Sequence, residues 1–291
     1  MTRIVAIANQ KGGVGKTTTT VNLAAGVARE GYRVLLLDID SQANATSGLG
    51  LDKNAGDGSI YDVLIGEKSA VDCIKNTEYE NLDLLPSEPD LAGAEIEIAT
   101  SGNIQYRLRD GLASLRAAGT YDFIFIDCPP SLGIIVTNAL VAADSVLIPL
   151  QTEYFALEGL SMITDLVNRI IDNDLNPDLE LEGIVMTMYD KRTNLANEVV
   201  GEVWKAFGEY TYEYAIPRSV KISESPGYGE PVLYYAKHST GAYAYEKVVE
   251  EFIKRNQARN AGMAHSYDAL EVADKDAGKD HESLEMGHLE D

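Results

Sequence analysis

A glycine-rich segment near the amino terminus constrains this chain more than any other feature. It follows a short apolar run at residues 4–8 and precedes a helical pattern from Thr17 to about Arg29. Over residues 9–18 it reads Asn-Gln-Lys-Gly-Gly-Val-Gly-Lys-Thr-Thr. A buried strand, a glycine-rich loop and a helix, in this order, are what a phosphate-binding loop requires. The segment therefore predicts an α/β fold with a nucleoside triphosphate site directly after the first strand.

The positions of this loop suit a polyphosphate ligand. The glycines let the backbone form a cup of inward-pointing N–H groups, and the following helix adds its positive end. Lys16 can reach the β- and γ-phosphate oxygens, and the Thr17 hydroxyl can ligate Mg²⁺. A glycine-rich turn that binds nothing is the alternative, and the flanking strand and helix argue against it. The predicted nucleotide contacts form one continuous set: Lys11, Gly12, Gly13, Val14, Gly15, Lys16, Thr17 and Thr18.

Two further apolar runs end in acidic residues. Residues 33–37 precede Asp38 and Asp40, and residues 121–126 precede Asp127. Apolar strands that alternate with helical stretches predict a mostly parallel, twisted sheet with helices on both faces, the three-layer P-loop NTPase fold. Loops after the carboxyl ends of such strands carry the chemistry, so these acids should face the glycine-rich loop. We expect Asp127 to hold the Mg²⁺ shell through water, as a Walker B acid does.

Several motifs together resemble the ParA/MinD group of P-loop ATPases. A second lysine, Lys11, lies at the start of the glycine-rich loop, which is the deviant form of the motif. The resemblance covers about residues 1–258, and its later motifs are similar to the ParA/Soj branch. These motifs occupy residues 38–50, 127–133, 151–160, 187–194 and 216–226.

The resemblance implies roles for three residues. Lys11 would cross a dimer interface and touch the phosphates held by the partner subunit, although a solvated cation at a loop edge is the alternative. Asp40 would position or polarise the attacking water, with Asp38 nearer the Mg²⁺ shell. Without the resemblance, the two acids could simply cap the next helix. The chain has Ser41 where the family usually has proline, a departure that bears on the rigidity of this loop.

Two late loops are implied to flank the adenine. By resemblance, Met188, Pro217 and Arg218 lie near the base, although Arg218 could serve only the nucleotide. Arg192 and Lys221 lie just beyond them, on the surface implied in sequence-independent contact with DNA. Both could instead be ordinary solvated charges, because the chain is so acidic.

Composition restricts the partners and the compartment. The chain of 291 residues has 46 acidic against 24 basic residues and a net charge of −22. Such a surface repels nucleic acid unless positive charge is concentrated locally. Two cysteines without a Cys-x-x-Cys motif argue against disulfides, zinc and a bridging iron–sulfur site. No segment approaches the roughly 20 apolar residues of a membrane span, and no signal peptide is recognisable, so we expect a cytoplasmic protein.

The carboxyl-terminal part differs from the rest. The division predicted is an ATPase domain over residues 1–258 and an acidic tail over residues 259–291. The tail is poor in large apolar side chains, so we expect it to be disordered.

The resemblance implies a partition ATPase that uses ATP and Mg²⁺. Such a protein pairs as an ATP-dependent homodimer, binds double-stranded DNA non-specifically and hydrolyses ATP slowly until a ParB-like activator acts on it. It would be associated with the nucleoid and have no stable membrane anchor. A MinD-like membrane ATPase is an alternative, but it calls for a basic amphipathic carboxyl-terminal helix, and the chain after Arg255 is acidic. An orphan ParA-like ATPase that positions another cargo would have the same ATPase domain.

Overall fold

A single seven-stranded sheet lies at the centre of the protein in the computed structural model, which describes residues 2–99 and 103–262. The strands are β1 (Arg3–Ile7), β2 (Val34–Asp38), β3 (Lys75–Asn76), β4 (Leu82–Leu85), β5 (Phe123–Asp127), β6 (Ser145–Gln151) and β7 (Glu180–Thr187). Their order across the sheet is β3-β4-β2-β5-β1-β6-β7. Only the short edge strand β3 is antiparallel to its neighbour.

The described residues form twelve α-helices. They are α1 (Lys16–Arg29), α2 (Asn44–Gly48), α3 (Ile60–Ile65), α4 (Ala70–Cys73), α5 (Leu91–Ala99), α6 (Arg107–Ala118), α7 (Ile134–Ala142), α8 (Ala156–Asp172), α9 (Asn194–Phe207), α10 (Val220–Glu224), α11 (Val232–Tyr235) and α12 (Thr240–Asn260). None of them is both long enough and apolar enough to cross a membrane.

Strand β1 shows why helices cover both faces of the sheet. Successive side chains of a strand point to opposite faces. Ile4 and Ala6 pack into a core with α3, α5, α6, α7 and α8, whereas Val5 and Ile7 pack into a second core with α1, α11 and α12. All four side chains are buried. The predicted three-layer fold with a mostly parallel sheet is therefore confirmed.

The last helix packs closely on the first. A Cβ atom at Gly26 would lie 2.4 Å from Cγ2 of Val249, so α1 and α12 can approach this closely only because Gly26 has no side chain. The sequence predicts this last helix over residues 241–255, whereas α12 extends to Asn260. Most of the predicted tail lies outside the described residues, and the division at residue 258 stays a prediction.

Two regions contain more structure than the sequence predicts. Residues 51–80 are expected to be irregular apart from a helix at 59–64. That helix exists as α3, and Ser59 with Asp62 forms a capping box at its start. The same region also contains α4 and β3, and helix α9 is not predicted at all.

Candidate functional site

The glycine-rich loop lies in the crevice at the carboxyl ends of the central strands. Strand β1 pairs with β5 on one side and β6 on the other, so the loop leaves the sheet between them. Gly13 and Gly15 have φ angles of 73° and 86°, which are left-handed conformations that favour glycine. Gly15 directly precedes Lys16, the first residue of α1. The loop therefore has the backbone form and the helix start that bind phosphate.

Lys16 is buried inside the loop. Its ammonium group donates a hydrogen bond to the carbonyl oxygen of Lys11, 3.1 Å away across the loop. Burial lowers the pKa of Lys16, and the nearby charge of Asp127 opposes that shift. A lysine ammonium has three donors, and this bond is its one hydrogen bond among the described residues. The side chain can thus contact a phosphate without breaking a larger network.

Two buried acids lie side by side at the ends of β2 and β5. The register pairs Asp38 with Asp127, and both side chains are fully buried. Burial raises the pKa of Asp38 to about 6. Burial also raises the pKa of Asp127 to about 8, and the charge of Asp38 adds to this rise, while the hydroxyls of Thr17 and Thr20 oppose it. The two carboxylates at this end of the sheet therefore lack enough nearby positive charge to offset the cost of burying both in the ionised form.

Asp38 is engaged by the loop that follows it. One of its oxygens accepts hydrogen bonds from the backbone N–H and the hydroxyl of Thr46, each 2.8 Å long. Its other oxygen accepts one from the N–H of Asp40 at 3.2 Å. Thr46 is the third residue of α2, so Asp38 does cap that helix, which is the alternative that the sequence left open. The carboxylate of Asp40 accepts instead from the N–H of Gln42 at 3.0 Å.

The oxygen donors of this end fit a Mg²⁺ ion. One oxygen of Asp127 accepts a hydrogen bond from the Thr20 hydroxyl at 2.9 Å. Its other oxygen, Oδ2, is buried and has no hydrogen-bond partner among the described residues. The described residues contain no cluster of three His, Cys, Asp or Glu side chains that could cage a metal by themselves. Mg²⁺ keeps several waters and binds through one or two protein groups together with substrate phosphates, and the unpartnered Oδ2 of Asp127 could accept a hydrogen bond from one of those waters.

Lys11 lies at the outer edge of the loop. Its ammonium group is 3.0 Å from Oε2 of Glu153, which follows β6. Its backbone N–H donates to the side-chain oxygen of Asn9 at 3.0 Å, and the amide nitrogen of Asn9 donates to the carbonyl of Pro149 at 2.8 Å. The two lysines of the loop are therefore on different sides, Lys16 inside the cup and Lys11 at its rim.

The two late loops meet beside the glycine-rich loop. Thr187, the last residue of β7, donates a hydrogen bond from its hydroxyl to the carbonyl oxygen of Val14 at 2.8 Å. Tyr189 and Pro217 form a parallel bridge, and the N–H of Arg218 donates to the carbonyl of Tyr189 at 3.2 Å. Segments thirty residues apart in sequence thus form one wall next to the phosphate cup.

Comparison with known proteins shows what this site is related to. The family described as an AAA domain matches residues 2–181. The chain is 47% identical over 262 residues to the chromosome partitioning protein ParA of Caulobacter vibrioides, covering 90% of this chain and 98% of that protein. It is 49% identical over 251 residues to the sporulation initiation inhibitor protein Soj of Bacillus subtilis, covering 86% and 98%. The chain belongs to the ParA/Soj family of chromosome-partitioning ATPases.

Solved structures agree with this membership. A cobyrinic acid a,c-diamide synthase from Mycobacterium smegmatis, with bound ATP analogue and magnesium, matches with a TM-score of 0.77 and 34% identity. The match covers 89% of this chain and 97% of that one. A putative plasmid partition protein from Borrelia burgdorferi bound to AMPPNP matches with a TM-score of 0.74 and 27% identity, covering 87% and 99%.

The residues predicted near the base come together in this ParA/Soj-family chain. Met188 has a φ of 52°, which is uncommon for a residue other than glycine and turns the chain directly after β7. Met188 and Pro217 are half-buried, and Arg218 is exposed. Their contact with a base stays a prediction.

The two predicted DNA contacts are exposed but paired with acids. The guanidinium group of Arg192 makes two bonds to the carboxylate of Asp190, 2.7 and 2.8 Å long. This pairing lowers the pKa of Asp190 to about 2. Lys221 lies 3.0 Å from Glu224, within the same short helix. The alternative of solvated charges therefore stays open for Arg192 and Lys221.

Four residues of this site are absent from the sequence-based prediction. The hydroxyl of Thr20 donates a hydrogen bond to Asp127, and that of Thr46 donates one to Asp38. The hydroxyl of Thr187 donates to the glycine-rich loop, and Glu153 pairs with Lys11. The role of Thr20 could have been predicted from the sequence, because it lies one helical turn after Lys16 on the helix that must face the sheet. Glu153 also has a signal in the sequence, because it follows the strand next to β1 and must emerge at the same edge.

Proposed function

We propose that this protein is a partition ATPase of the ParA type. It dimerises on ATP, binds double-stranded DNA without sequence preference, and hydrolyses ATP when a ParB-like partner acts on it, so as to segregate a chromosome or plasmid. The observation that carries the proposal is the placement of the two loop lysines. A nucleotide site within one subunit needs only the inner lysine, Lys16, whereas the outer one, Lys11, lies partly exposed at the rim beside Glu153, where it could serve a second subunit.

The inner side of the loop would hold the nucleotide. The backbone N–H groups from Gly12 to Thr18 and the ammonium of Lys16 would bind the β- and γ-phosphates. Mg²⁺, held by Thr17 and through water by Asp127 with Asp38 close by, would neutralise charge on the phosphate oxygens. Asp40 would orient the water that attacks the γ-phosphate in line, giving ADP and phosphate.

The remaining predicted residues would contact the partner subunit, the adenine and DNA. Lys11 would reach the triphosphate of the other subunit, as an arginine finger does in trans. Met188, Pro217 and Arg218 would flank the adenine. Arg192 and Lys221 would contact DNA phosphates, which would place the protein on the nucleoid in the cytoplasm.

Molecular mass in solution tests the nucleotide part of this proposal. We expect a monomer with ADP and a dimer with a non-hydrolysable ATP analogue and Mg²⁺, measured by light scattering after gel filtration. Lys16→Ala should remove nucleotide binding, and Asp40→Ala should keep binding and dimerisation while turnover stops. A wild-type chain that binds the analogue with full occupancy yet stays monomeric would contradict the proposal.

Retention on random duplex DNA tests the second part. We expect binding only with the ATP analogue, and weaker binding when Arg192→Ala and Lys221→Ala are combined. Each lost phosphate contact should reduce the slope of log affinity against log salt by about 0.9. An unchanged slope in the double variant would remove both residues from the DNA surface.

A second function, positioning of a cargo other than DNA, is favoured by one observation. Arg192 and Lys221 are each neutralised by an acid in their own segment, on a chain with a net charge of −22. Such pairing lowers the local positive potential that DNA needs. If the ATP-bound dimer forms but does not bind DNA even at low salt, cargo positioning becomes the better proposal.

A further inference from the structure

The rim lysine is held by an acid of its own subunit. The ammonium of Lys11 and Oε2 of Glu153 are 3.0 Å apart, and both side chains are partly exposed, by 34% and 47%. The other carboxylate oxygen of Glu153 accepts a hydrogen bond from the side-chain amide of Gln151. Glu153 is thus fixed at the end of β6 with one oxygen directed at Lys11.

The backbone of Lys11 is held in place, and helix α8 lies beside its side chain. Its backbone is tied to Asn9, as described above, and the first turn of α8 lies against its stem. A Cβ atom at Gly159 would be 3.4 Å from the side-chain oxygen of Asn9 and 4.0 Å from Cβ of Lys11. Helix α8 therefore lies close to the stem of Lys11, and the ammonium group must leave Glu153 before it can reach another subunit.

We propose that Glu153 is a positioning residue that retains Lys11 within its own subunit until a second copy of the chain arrives. This inference rests on the proposed function, in which Lys11 serves the triphosphate of the partner subunit. The same ammonium cannot make a close ion pair with Glu153 and lie among the phosphates of the neighbour at one time. Formation of the active dimer therefore includes breaking the contact between Lys11 and Glu153.

The neighbouring residues explain how a second copy could reach this contact. Tyr154 and Phe155 directly follow Glu153 and are 75% and 60% exposed, with their rings 5.1 Å apart and nearly perpendicular. Large apolar side chains with this much exposure gain free energy when another surface covers them. A subunit that docks against this pair would bring its bound triphosphate close to Lys11, and the larger negative charge of the phosphates would compete with Glu153 for the ammonium.

The ion pair should hinder dimerisation only modestly. Partly exposed pairs between lysine and glutamate are weak because water and salt screen them. We therefore expect its removal to change the dimerisation equilibrium roughly two- to fivefold. An effect of this size would set the ATP concentration at which the protein switches, without preventing the switch.

The test compares Glu153→Ala with Glu158→Ala, a control that removes a side chain of the same charge from the first turn of α8, where it is more exposed than Glu153. Dimer dissociation constants are measured by sedimentation with a non-hydrolysable ATP analogue and Mg²⁺, and nucleotide affinity is measured with the monomer. We expect tighter dimerisation for Glu153→Ala, unchanged dimerisation for Glu158→Ala, and equal nucleotide affinity in both. Glu153→Gln should lie between wild type and Glu153→Ala.

The double variant Lys11→Ala, Glu153→Ala identifies the path of the effect. If Glu153 acts through Lys11, its removal should have no further effect once Lys11 is alanine. If wild type dimerises and Glu153→Ala dimerises equally well or more weakly, the inference is overturned and the proposed function remains intact. Failure of wild type and Glu153→Ala alike to dimerise overturns both, whereas a dimer seen only with Glu153→Ala supports the positioning role.

Discussion

The two ends of the central sheet bury acids in opposite ways. At the carboxyl end, Asp38 and Asp127 lie next to each other, and their pKa values are raised to about 6 and about 8. At the amino end, Glu182 is just as fully buried, yet its pKa is lowered. Depth of burial alone therefore does not decide the charge state of these acids.

The amino end provides Glu182 with a complete set of partners. Arg3 donates to it at 3.0 Å, and Arg259 forms a second ion pair with it. The hydroxyl of Ser145 donates at 2.7 Å and the amide of Asn256 at 2.9 Å. Burial by itself raises the pKa of Glu182, but the two guanidinium groups outweigh it and lower the pKa below the ordinary value.

The carboxyl end lacks such cations. The ammonium of Lys16 is bonded to a backbone carbonyl rather than to Asp127, and Asp127 keeps one oxygen without a partner among the described residues. The difference teaches that Glu182 is buried together with its cations, whereas Asp38 and Asp127 are buried without them, an arrangement that the proposed Mg²⁺ site would complete. Buried acids without a nearby cation cost folding free energy, a conflict that natural proteins tolerate at sites of chemistry.

The largest effect is expected from Glu182→Gln. It leaves the half-buried Arg3 and Arg259 with the exposed Glu180 as their one remaining carboxylate among the described residues, so the free energy of unfolding should fall by about 3 to 5 kcal/mol. Urea unfolding followed by circular dichroism measures it. Glu180→Gln is the matched control, because Glu180 pairs with the same arginines but is 41% exposed, and we expect a loss below about 1 kcal/mol. Equal losses of unfolding free energy in Glu182→Gln and Glu180→Gln would contradict the conclusion that the buried Glu182 fastens the amino end of the sheet.

A smaller effect of opposite sign is expected from Asp127→Asn. The change removes a buried group that resists ionisation, so the nucleotide-free protein in EDTA should gain on the order of 2 kcal/mol at pH 8. The same variant should lose Mg²⁺-dependent nucleotide affinity. Destabilisation of the nucleotide-free protein would mean that Asp127 fastens the fold as Glu182 does.

The two ends should also respond to pH in opposite directions. The folded pKa of Asp127, about 8, exceeds its ordinary value of 3.8, so the folded state keeps a proton that the unfolded state has lost. Its contribution to stability should fall as pH rises between these values, by at most about 1.4 kcal/mol per pH unit, and then level off. Glu182 has a lowered pKa, so its contribution is present above 4.5 and is lost as the pH falls below it.

The measurement is the unfolding free energy of wild type and Asp127→Asn in EDTA from pH 5 to pH 9. The difference between the two proteins should grow with pH and become constant above about pH 8. A difference that does not vary with pH would show that Asp127 titrates normally in the folded protein.

The smallest effect is expected from Thr20→Val. The Thr20 hydroxyl donates to Asp127 and lies close to the carbonyl oxygen of Lys16. Its loss should destabilise the protein by about 0.5 to 1.5 kcal/mol and raise the pKa of Asp127 further, because one donor to the carboxylate is removed. In the Asp127→Asn background the same substitution should cost less, which a double-mutant cycle by urea unfolding would measure.

Most of the fold could be predicted because its signals are local. Apolar runs predict six strands, at residues 4–8, 33–37, 81–86, 121–126, 145–150 and 181–188, and the glycine-rich loop predicts the crevice at their carboxyl ends. Strand β3 has only two residues, too few for any periodicity. Helix α9 was missed even though Ala196, Val199 and Val203, which are buried, have helical spacing.

The site could be predicted in part for the same reason. Strand register places Asp38 beside Asp127, and that register follows from the sheet class. The support of the site could be predicted only as far as the shared edge of the sheet, because the pairing of Glu153 with Lys11, 142 residues apart, has no local signal of its own. The burial of Glu182 is the clearest feature that the sequence did not predict. This glutamate lies in an otherwise apolar strand, and its partners Arg3 and Arg259 are 179 and 77 residues away in the sequence.

The anchoring of α12 has a practical consequence for experiments on this protein. Arg259, near the last residue of that helix, is fastened to Glu182 at the beginning of β7. The polypeptide that continues after residue 262 therefore starts out from the side of the sheet remote from the glycine-rich loop. A fluorophore attached directly after residue 262 should therefore leave ATP entry, subunit pairing and the contact between Lys11 and Glu153 undisturbed, so this position is the preferred point of attachment for imaging.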